Sequence, residues 1–251
     1  MAKIPVGSGK SYTVNLRVRR FNPEKQPEPW WGEYTLEDVS ATDSVLDLLH
    51  QVKWTIDGTL SLRRSCAHGV CGSDNMLING SNALACKMLV ARLANGKNPV
   101  KIQVEPMLGL PVLKDLIVDM EPFFEHYRSV QPFFMNDDPP PADGRERLQS
   151  PEDRAKFDDT TKCILCAACT TSCPSFWADG RYVGPAAIVQ AHRFIYDSRD
   201  EGYEKRLNIM AEQFGVWKCR TIFNCTNACP RDIEVTKAIA EVKMSIMTGK
   251  V

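Results

Sequence analysis

Ten cysteines in 251 residues are the side chains with the most chemistry to offer, and their spacing says what kind. Cys163, Cys166, Cys169 and Cys173 run as Cys-x2-Cys-x2-Cys-x3-Cys, with Pro174 after the last. Three thiolates at intervals of three in a turning loop hold three corners of a cubane iron–sulfur cluster. The fourth, set one residue further on and followed by proline, ligates the other cluster of a pair. A second run, Cys219-x5-Cys225-x3-Cys229-Pro230, has the same spacing except that Ile222 stands where the second cysteine belongs. Exchange of the last cysteines then gives one site to Cys163, Cys166, Cys169 and Cys229, and the other to Cys173, Cys219 and Cys225. An alkyl side chain cannot ligate iron. The four-thiolate site is expected to hold 4Fe–4S and the three-thiolate site 3Fe–4S, the alternative being a complete cube with water or hydroxide on its fourth iron.

The remaining cysteines lie in the first third. Arg63-Arg64-Ser65-Cys66-Ala67-His68-Gly69-Val70-Cys71-Gly72-Ser73-Asp74 has the Cys-x4-Cys-x2 spacing of plant-type 2Fe–2S sites, with aspartate in third place and Cys86 completing the set. Gly69 and Gly72 let the backbone bend closely round a cluster, and Ser65, Ser73 and free amides can donate to its sulfurs. Asp74 can itself ligate iron, which its spacing favours; Ser73 could substitute, or Asp74 could serve only as a hydrogen-bond partner.

Other chemistries fit less well. Structural zinc takes two separated ligand pairs and leaves the three-fold cysteine run without a purpose. Disulfides need an oxidising compartment, and the first ten residues show neither an apolar signal core nor an Arg-rich leader. A Rieske centre needs two histidines in tight motifs with cysteine; of His50, His68, His126 and His192 only His68 lies near one, so all four read as surface or core residues. No Gly-x-Gly-x-x-Gly, phosphate loop or acid–base constellation is present. With 31 basic and 31 acidic side chains the formal charge is zero, which argues against a nucleic-acid surface. No apolar stretch approaches the ~18–20 residues that cross a bilayer.

The elements that must position these residues change character along the chain. Tyr12–Val18 alternates as a half-buried strand, Glu33–Val39 more weakly so, and Val100–Val104 is a third. Thr42-Asp43-Ser44 can cap a helix carrying Val45, Leu48, Leu49, Val52 and Ile56 and ending near Gly58. Met76-Leu77-Ile78 before Asn79-Gly80 predicts a hairpin. Proline and aspartate at 136–144 and the charges up to Asp159 read as a linker. Beyond it come helices from Gly184-Pro185, over Tyr203–Phe214, and from Val235 to a stop at Gly249, with the cysteines in the turns between them. The divisions expected are 1–135, a linker over 136–160, and 161–251.

With all three clusters placed, the sequence resembles the iron–sulfur subunit of succinate dehydrogenase and fumarate reductase (respiratory complex II). The residues that carry this are Arg63 to Ser73, Cys163-Ile164-Leu165-Cys166, Cys173-Pro174-Ser175-Phe176-Trp177, Gly184-Pro185-Ala186, Tyr196-Asp197-Ser198-Arg199-Asp200, and Cys219 through Pro230. The resemblance implies an α+β chain, with an N-terminal plant-type ferredoxin-like (β-grasp) domain and a C-terminal all-helical bacterial ferredoxin-like domain. It implies a partner flavoprotein whose FAD oxidises succinate, and membrane anchor subunits that bind quinone. Electrons would pass from FAD through 2Fe–2S, 4Fe–4S and 3Fe–4S to quinone. That order suits the ligand sets, since a cluster with fewer negative thiolates is easier to reduce. It also implies quinone near Pro174, Ser175, Trp177 and Ile222. Two residues depart from the family pattern: Ala178 replaces a second tryptophan, and Arg220 replaces a histidine, putting a permanent positive charge beside the cluster. The chain is expected on the cytoplasmic face of a bacterial plasma membrane, held peripherally by the anchors. A fumarate reductase subunit is the same architecture run in reverse, and a free multi-cluster ferredoxin-like carrier the remaining alternative.

Overall fold

The computed structural model describes residues 11–251, so the reading of the first ten residues lies outside it. Contacts divide the chain into two compact units, one ending at Asp119 and one beginning at Met120. The architecture is α+β: a sheet unit followed by a helical one.

In the first unit, strands β1 (Ser11–Arg20) and β2 (Trp30–Ser40) pair antiparallel. Helix α1 (Val45–Gln51) follows, then a π-helical turn to Ile56. Its start obeys the capping-box rule: Ser44 Oγ accepts the Asp47 N–H, and the Asp47 carboxylate accepts the Ser44 N–H at 2.8 Å. Strands β3 (Asn75–Ile78) and β4 (Ser81–Leu84) form the expected hairpin. Asn79 and Gly80 sit at φ 47° and 80°, the two left-handed positions that a type I′ turn requires. After a short helix α2 (Val90–Ala94), strand β5 (Val100–Glu105) runs parallel to β1, giving the sheet order β2-β1-β5-β3-β4. Val14, Leu16 and Val18 of β1 and Val100, Ile102 and Val104 of β5 alternate inward, onto Leu46, Leu49 and Val52. A two-stranded ribbon, β6 (Val112–Lys114) and β7 (Ile117–Val118), closes the unit.

Arg20 keeps the inward phase of β1 and is buried. Its guanidinium meets Asp115 through Nε–Oδ1 at 3.0 Å and also binds Asp57, Thr59 and Tyr34. Asp115 in turn accepts the N–H groups of Phe21 and Ser61. A buried charge is tolerable only when paired and hydrogen-bonded this fully. The cluster pins residues 57–61, the stem of the loop that carries Cys66 and Cys71.

The second unit opens with α3 (Glu121–Ser129), a helix the sequence reading omitted and whose residues it assigned to the first domain; the helix packs on the later helix Gly184–Ile195 instead. The stretch read as linker is also not all irregular. Ser150 caps α4 (Pro151–Phe157), accepting the Asp153 N–H at 3.0 Å, with Pro151 where its missing N–H costs nothing. Short helices α5 (Ala168–Thr171), α6 (Pro174–Ala178) and α9 (Asn224–Asn227) alternate with the longer α7 (Gly184–Ile195), α8 (Tyr203–Ala211) and α10 (Val235–Thr248). Helix α8 stops before the expected Phe214. At Gly215 a Cβ would fall 2.1 Å from the Met210 carbonyl oxygen, so the chain turns back there on its own helix end. Helices α7, α8 and α10 pack on one another through Ile188, Ala191, Ile195, Met210, Ile239 and Val242.

The Tyr196–Asp200 stretch ties the preceding irregular chain to this bundle. Asp200 pairs with Arg206, both fully buried, at 2.6 Å, and accepts the Met135 N–H. Arg206 also donates to the Gln131 and Phe133 carbonyls. Asp197 binds Arg193, Arg199 and Gln149.

Candidate functional site

The cysteines stand round three places. In the first unit the loop after the Arg20 anchor wraps three amides round one sulfur. Cys66 Sγ accepts N–H groups from His68 at 3.5 Å, Val70 at 3.4 Å and Cys71 at 3.4 Å. Those donors hold the thiol down to about 6, so the loop is shaped for a sulfur that carries negative charge. The Ser73 hydroxyl lies 3.1 Å from Cys71 Sγ.

Asp74 and Cys86 face each other where β3 begins and β4 ends. The Ala85 and Cys86 N–H groups bond to the Asp74 carbonyl and Oδ2, at 3.0 and 2.8 Å. Burial and the adjoining Asp74 carboxylate push the Cys86 thiol up to about 12. Asp74 is 2 % exposed, and its second oxygen, Oδ1, has no hydrogen-bond partner. A buried carboxylate oxygen left bare beside a thiol costs free energy unless a cation is bound there, and iron fits that need.

The second unit repeats one loop twice, at an offset that superposes Cys163 on Cys219. Each copy leaves a short 3-10 turn through a matching hydrogen bond, Cys163 N–H to Thr160 O and Cys219 N–H to Val216 O. Leu165 and Ala167 have φ of 54° and 63°; their counterparts Thr221 and Phe223 have 56° and 70°. Left-handed conformations at four non-glycine residues cost about 1–3 kcal/mol each and persist only where the surroundings demand them. Here they turn successive N–H groups inward, as an anion-binding nest does. The Thr221 N–H reaches Cys219 Sγ at 3.4 Å. Helices α5 and α9 then follow with the same bonds, Thr171 N–H to Ala167 O and Asn227 N–H to Phe223 O.

Two hollows of similar size result. One, of about 360 Å³, is lined by Cys163, Cys166, Cys169 and Cys229, with Ala186, Val189 and Ile233 behind them. The other, of about 320 Å³, is lined by Cys173, Cys219 and Cys225, and by Pro174, Ser175, Arg220, Ile222 and Tyr182. Each hollow thus takes its last cysteine from the other loop. Burial raises the thiols of Cys163, Cys166, Cys169, Cys173 and Cys225, so a compensating positive charge is needed before they can act as thiolates. Among the described residues no group of three or more His, Cys, Asp or Glu is arranged to hold a single metal ion. Four thiols round one hollow and three round the other are donor sets that suit multi-iron clusters.

Trp177 is absent from the lining. It sits on α6, 45 % exposed, and its indole N–H donates to the Thr171 carbonyl at 2.8 Å, so that donor is already used. Trp217 likewise donates its indole N–H to a carbonyl six residues back, that of Ala211. Of the histidines, His192 is buried between Glu241, 2.8 Å from Nε2, and Thr160, while His50 stacks on Trp54; neither lines either hollow. The reading by motif missed the supports, namely Arg20, Asp115, Arg206 and Tyr182. A cue existed for Arg20, which falls in phase with Val14, Leu16 and Val18.

Comparison with known proteins agrees with this construction. Residues 15–125 match the family described as 2Fe-2S iron-sulfur cluster binding domain, and residues 155–230 match the 4Fe-4S dicluster domain. The chain is 43 % identical over 237 residues to the succinate dehydrogenase iron-sulfur subunit of Coxiella burnetii, covering 93 % of this chain and 97 % of that protein. It is 42 % identical over 247 residues to the mitochondrial succinate dehydrogenase [ubiquinone] iron-sulfur subunit of Dictyostelium discoideum, covering 96 % and 85 %. A chain of the Mycobacterium smegmatis Sdh1 complex in the apo form superposes with a TM-score of 0.82 at 26 % identity, over 96 % of this chain and 98 % of that one.

Proposed function

The chain belongs to the family of succinate dehydrogenase iron–sulfur subunits, and from that membership we propose that it carries electrons in three steps from the FAD of a flavoprotein subunit, through 2Fe–2S, 4Fe–4S and 3Fe–4S clusters, to a quinone held with membrane anchor subunits. The clusters supply one-electron redox sites; the chain's own work is to hold, insulate and tune them.

Cys66, Cys71, Cys86 and Asp74 are the proposed ligands of 2Fe–2S. Cys163, Cys166, Cys169 and Cys229 would hold 4Fe–4S, and Cys173, Cys219 and Cys225 would hold 3Fe–4S. The observation that carries the last assignment is Ile222, at the corner its sister loop gives to Cys166, on the wall of a hollow with three thiols. Pro174, Ser175, Arg220 and Ile222 form the proposed quinone neighbourhood. Trp177 joins them through its exposed indole face, its N–H being committed to Thr171. Arg220 would favour a negatively charged form of the acceptor. Among the described residues no helix is long and apolar enough to cross a membrane; attachment through anchor subunits makes the chain a peripheral component.

EPR of the complex during a succinate titration tests this. Three cluster signals should appear or vanish in turn, with nine irons per chain, the sum that these three cluster types contain. Zinc in place of iron, or a second complete cube, would overturn the assignment.

A further inference from the structure

Tyr182 lines the three-cysteine hollow and is fully buried, and its hydroxyl has no hydrogen-bond partner. Leaving a phenol O–H bare in the interior costs free energy that phenylalanine at the same place would avoid. The phenol is within electrostatic reach of Cys219, Cys173 and Cys225, the three thiols round this hollow, and after them of Cys169 in the sister hollow. Cys225 Sγ already has a hydroxyl beside it, that of Thr236 at 3.5 Å, which is also shared with Thr226 at 2.8 Å. The main chain that carries the ring is held on both sides. The Tyr182 N–H is tied to the Asp179 carbonyl, and the next residue, Val183, donates its N–H to Phe214 O. The sister hollow has no counterpart: none of the residues lining it carries a hydroxyl.

We propose that Tyr182 is a tuning residue, donating its O–H to a sulfur of the cluster in the second hollow, a thiolate of Cys173, Cys219 or Cys225 or a bridging sulfide. This rests on the reading of that hollow as a cluster site, and it explains how one folded unit can set two neighbouring cubes at different potentials. One electron entering the cluster increases the negative charge on its sulfurs. A phenol O–H directed there stabilises the reduced form more than the oxidised one, and its proton stays on oxygen throughout. The donor therefore raises the reduction potential of this cluster above the others.

The test is Tyr182→Phe in the intact complex purified from membranes. The midpoint potential of this cluster should fall by EPR-monitored titration while its iron content holds, and the 2Fe–2S and 4Fe–4S potentials should not move. ENDOR spectra from H2O and D2O should show one exchangeable proton coupling fewer than wild type. Should the phenylalanine variant fail to assemble, 3-fluorotyrosine placed at 182 serves instead. Its more acidic O–H should shift the potential upward. An unchanged potential with every proton coupling intact in Tyr182→Phe, or no upward shift with fluorotyrosine, overturns the proposal. A wild-type signal from a four-iron cluster here would instead overturn the incomplete-cube reading, and the same potential shift would still decide the role of Tyr182.

Discussion

Ile222 holds in its loop the backbone station that Cys166 holds in the sister loop. Each lies between two left-handed residues, Thr221 and Phe223 for the isoleucine, Leu165 and Ala167 for the cysteine. The loop is therefore already shaped for a fourth ligand, and only the side chain withholds it. Ile222→Cys should complete the cube. Iron should rise by one atom per chain, and the 3Fe–4S EPR signal of the oxidised protein should give way to a 4Fe–4S signal on reduction. Electron delivery to quinone should slow as the added thiolate lowers the potential. Unchanged iron and unchanged EPR would show that the corner is closed for another reason.

Asp74 offers one bare oxygen beside Cys86. Asp74→Ala should lose 2Fe–2S occupancy, whereas Asp74→Cys should keep the cluster with altered absorption and a lower potential, a thiolate being the more electron-rich donor. Iron analysis and EPR of the first cluster read this out. An alanine variant with a full and spectrally unchanged cluster would reduce Asp74 to a hydrogen-bond partner.

Asp200 and Arg206 are wholly buried and satisfy each other together with three main-chain groups of residues 131–135. Removing one partner leaves the other charge stranded. Arg206→Met should destabilise by roughly 3–5 kcal/mol, the usual cost of breaking a buried pair. Limited proteolysis should then cut near Phe133 before any global melting, because the same side chain pins that segment.

Asp197 supplies a pH dependence. Burial alone would raise its carboxyl, but the side-chain and main-chain bonds from Arg199, with Arg193, outweigh it and bring the group down to about 2. The folded value lies below the unfolded value of about 3.9, so the stabilisation is complete above pH ~4 and is lost as pH falls towards 2; about 2–3 kcal/mol is at stake. The stability of Asp197→Asn should be lower at neutral pH and fall less steeply between pH 4 and 2. Parallel acid limbs for the two proteins would refute this.

What the sequence disclosed and what it hid divide along one physical line. Ligand spacing is local, so Cys66 to Asp74 and Cys163 to Cys173 could be read directly, and so could the Ser44 cap and the Asn79-Gly80 turn. Tertiary partners are not local. Arg20 and Asp115 are 95 residues apart, and no motif announces that one will bury the other. Helix α4 was hidden by its charges, although Ser150-Pro151 followed by Asp153 carries an ordinary cap signal. Trp177 shows the reverse risk. Its residue type suggests a ligand contact, and only the structure reveals that its donor is spent on Thr171.

The exchange of Cys173 and Cys229 between the two loops has a consequence for how the protein matures. Each cage borrows a wall from its neighbour, so neither can be filled while the other loop is unformed, and damage to one should empty both. On the cluster assignments proposed above, a scaffold delivering iron and sulfide to this unit would meet a single lock with two keyholes, the filling of each cage waiting on both loops.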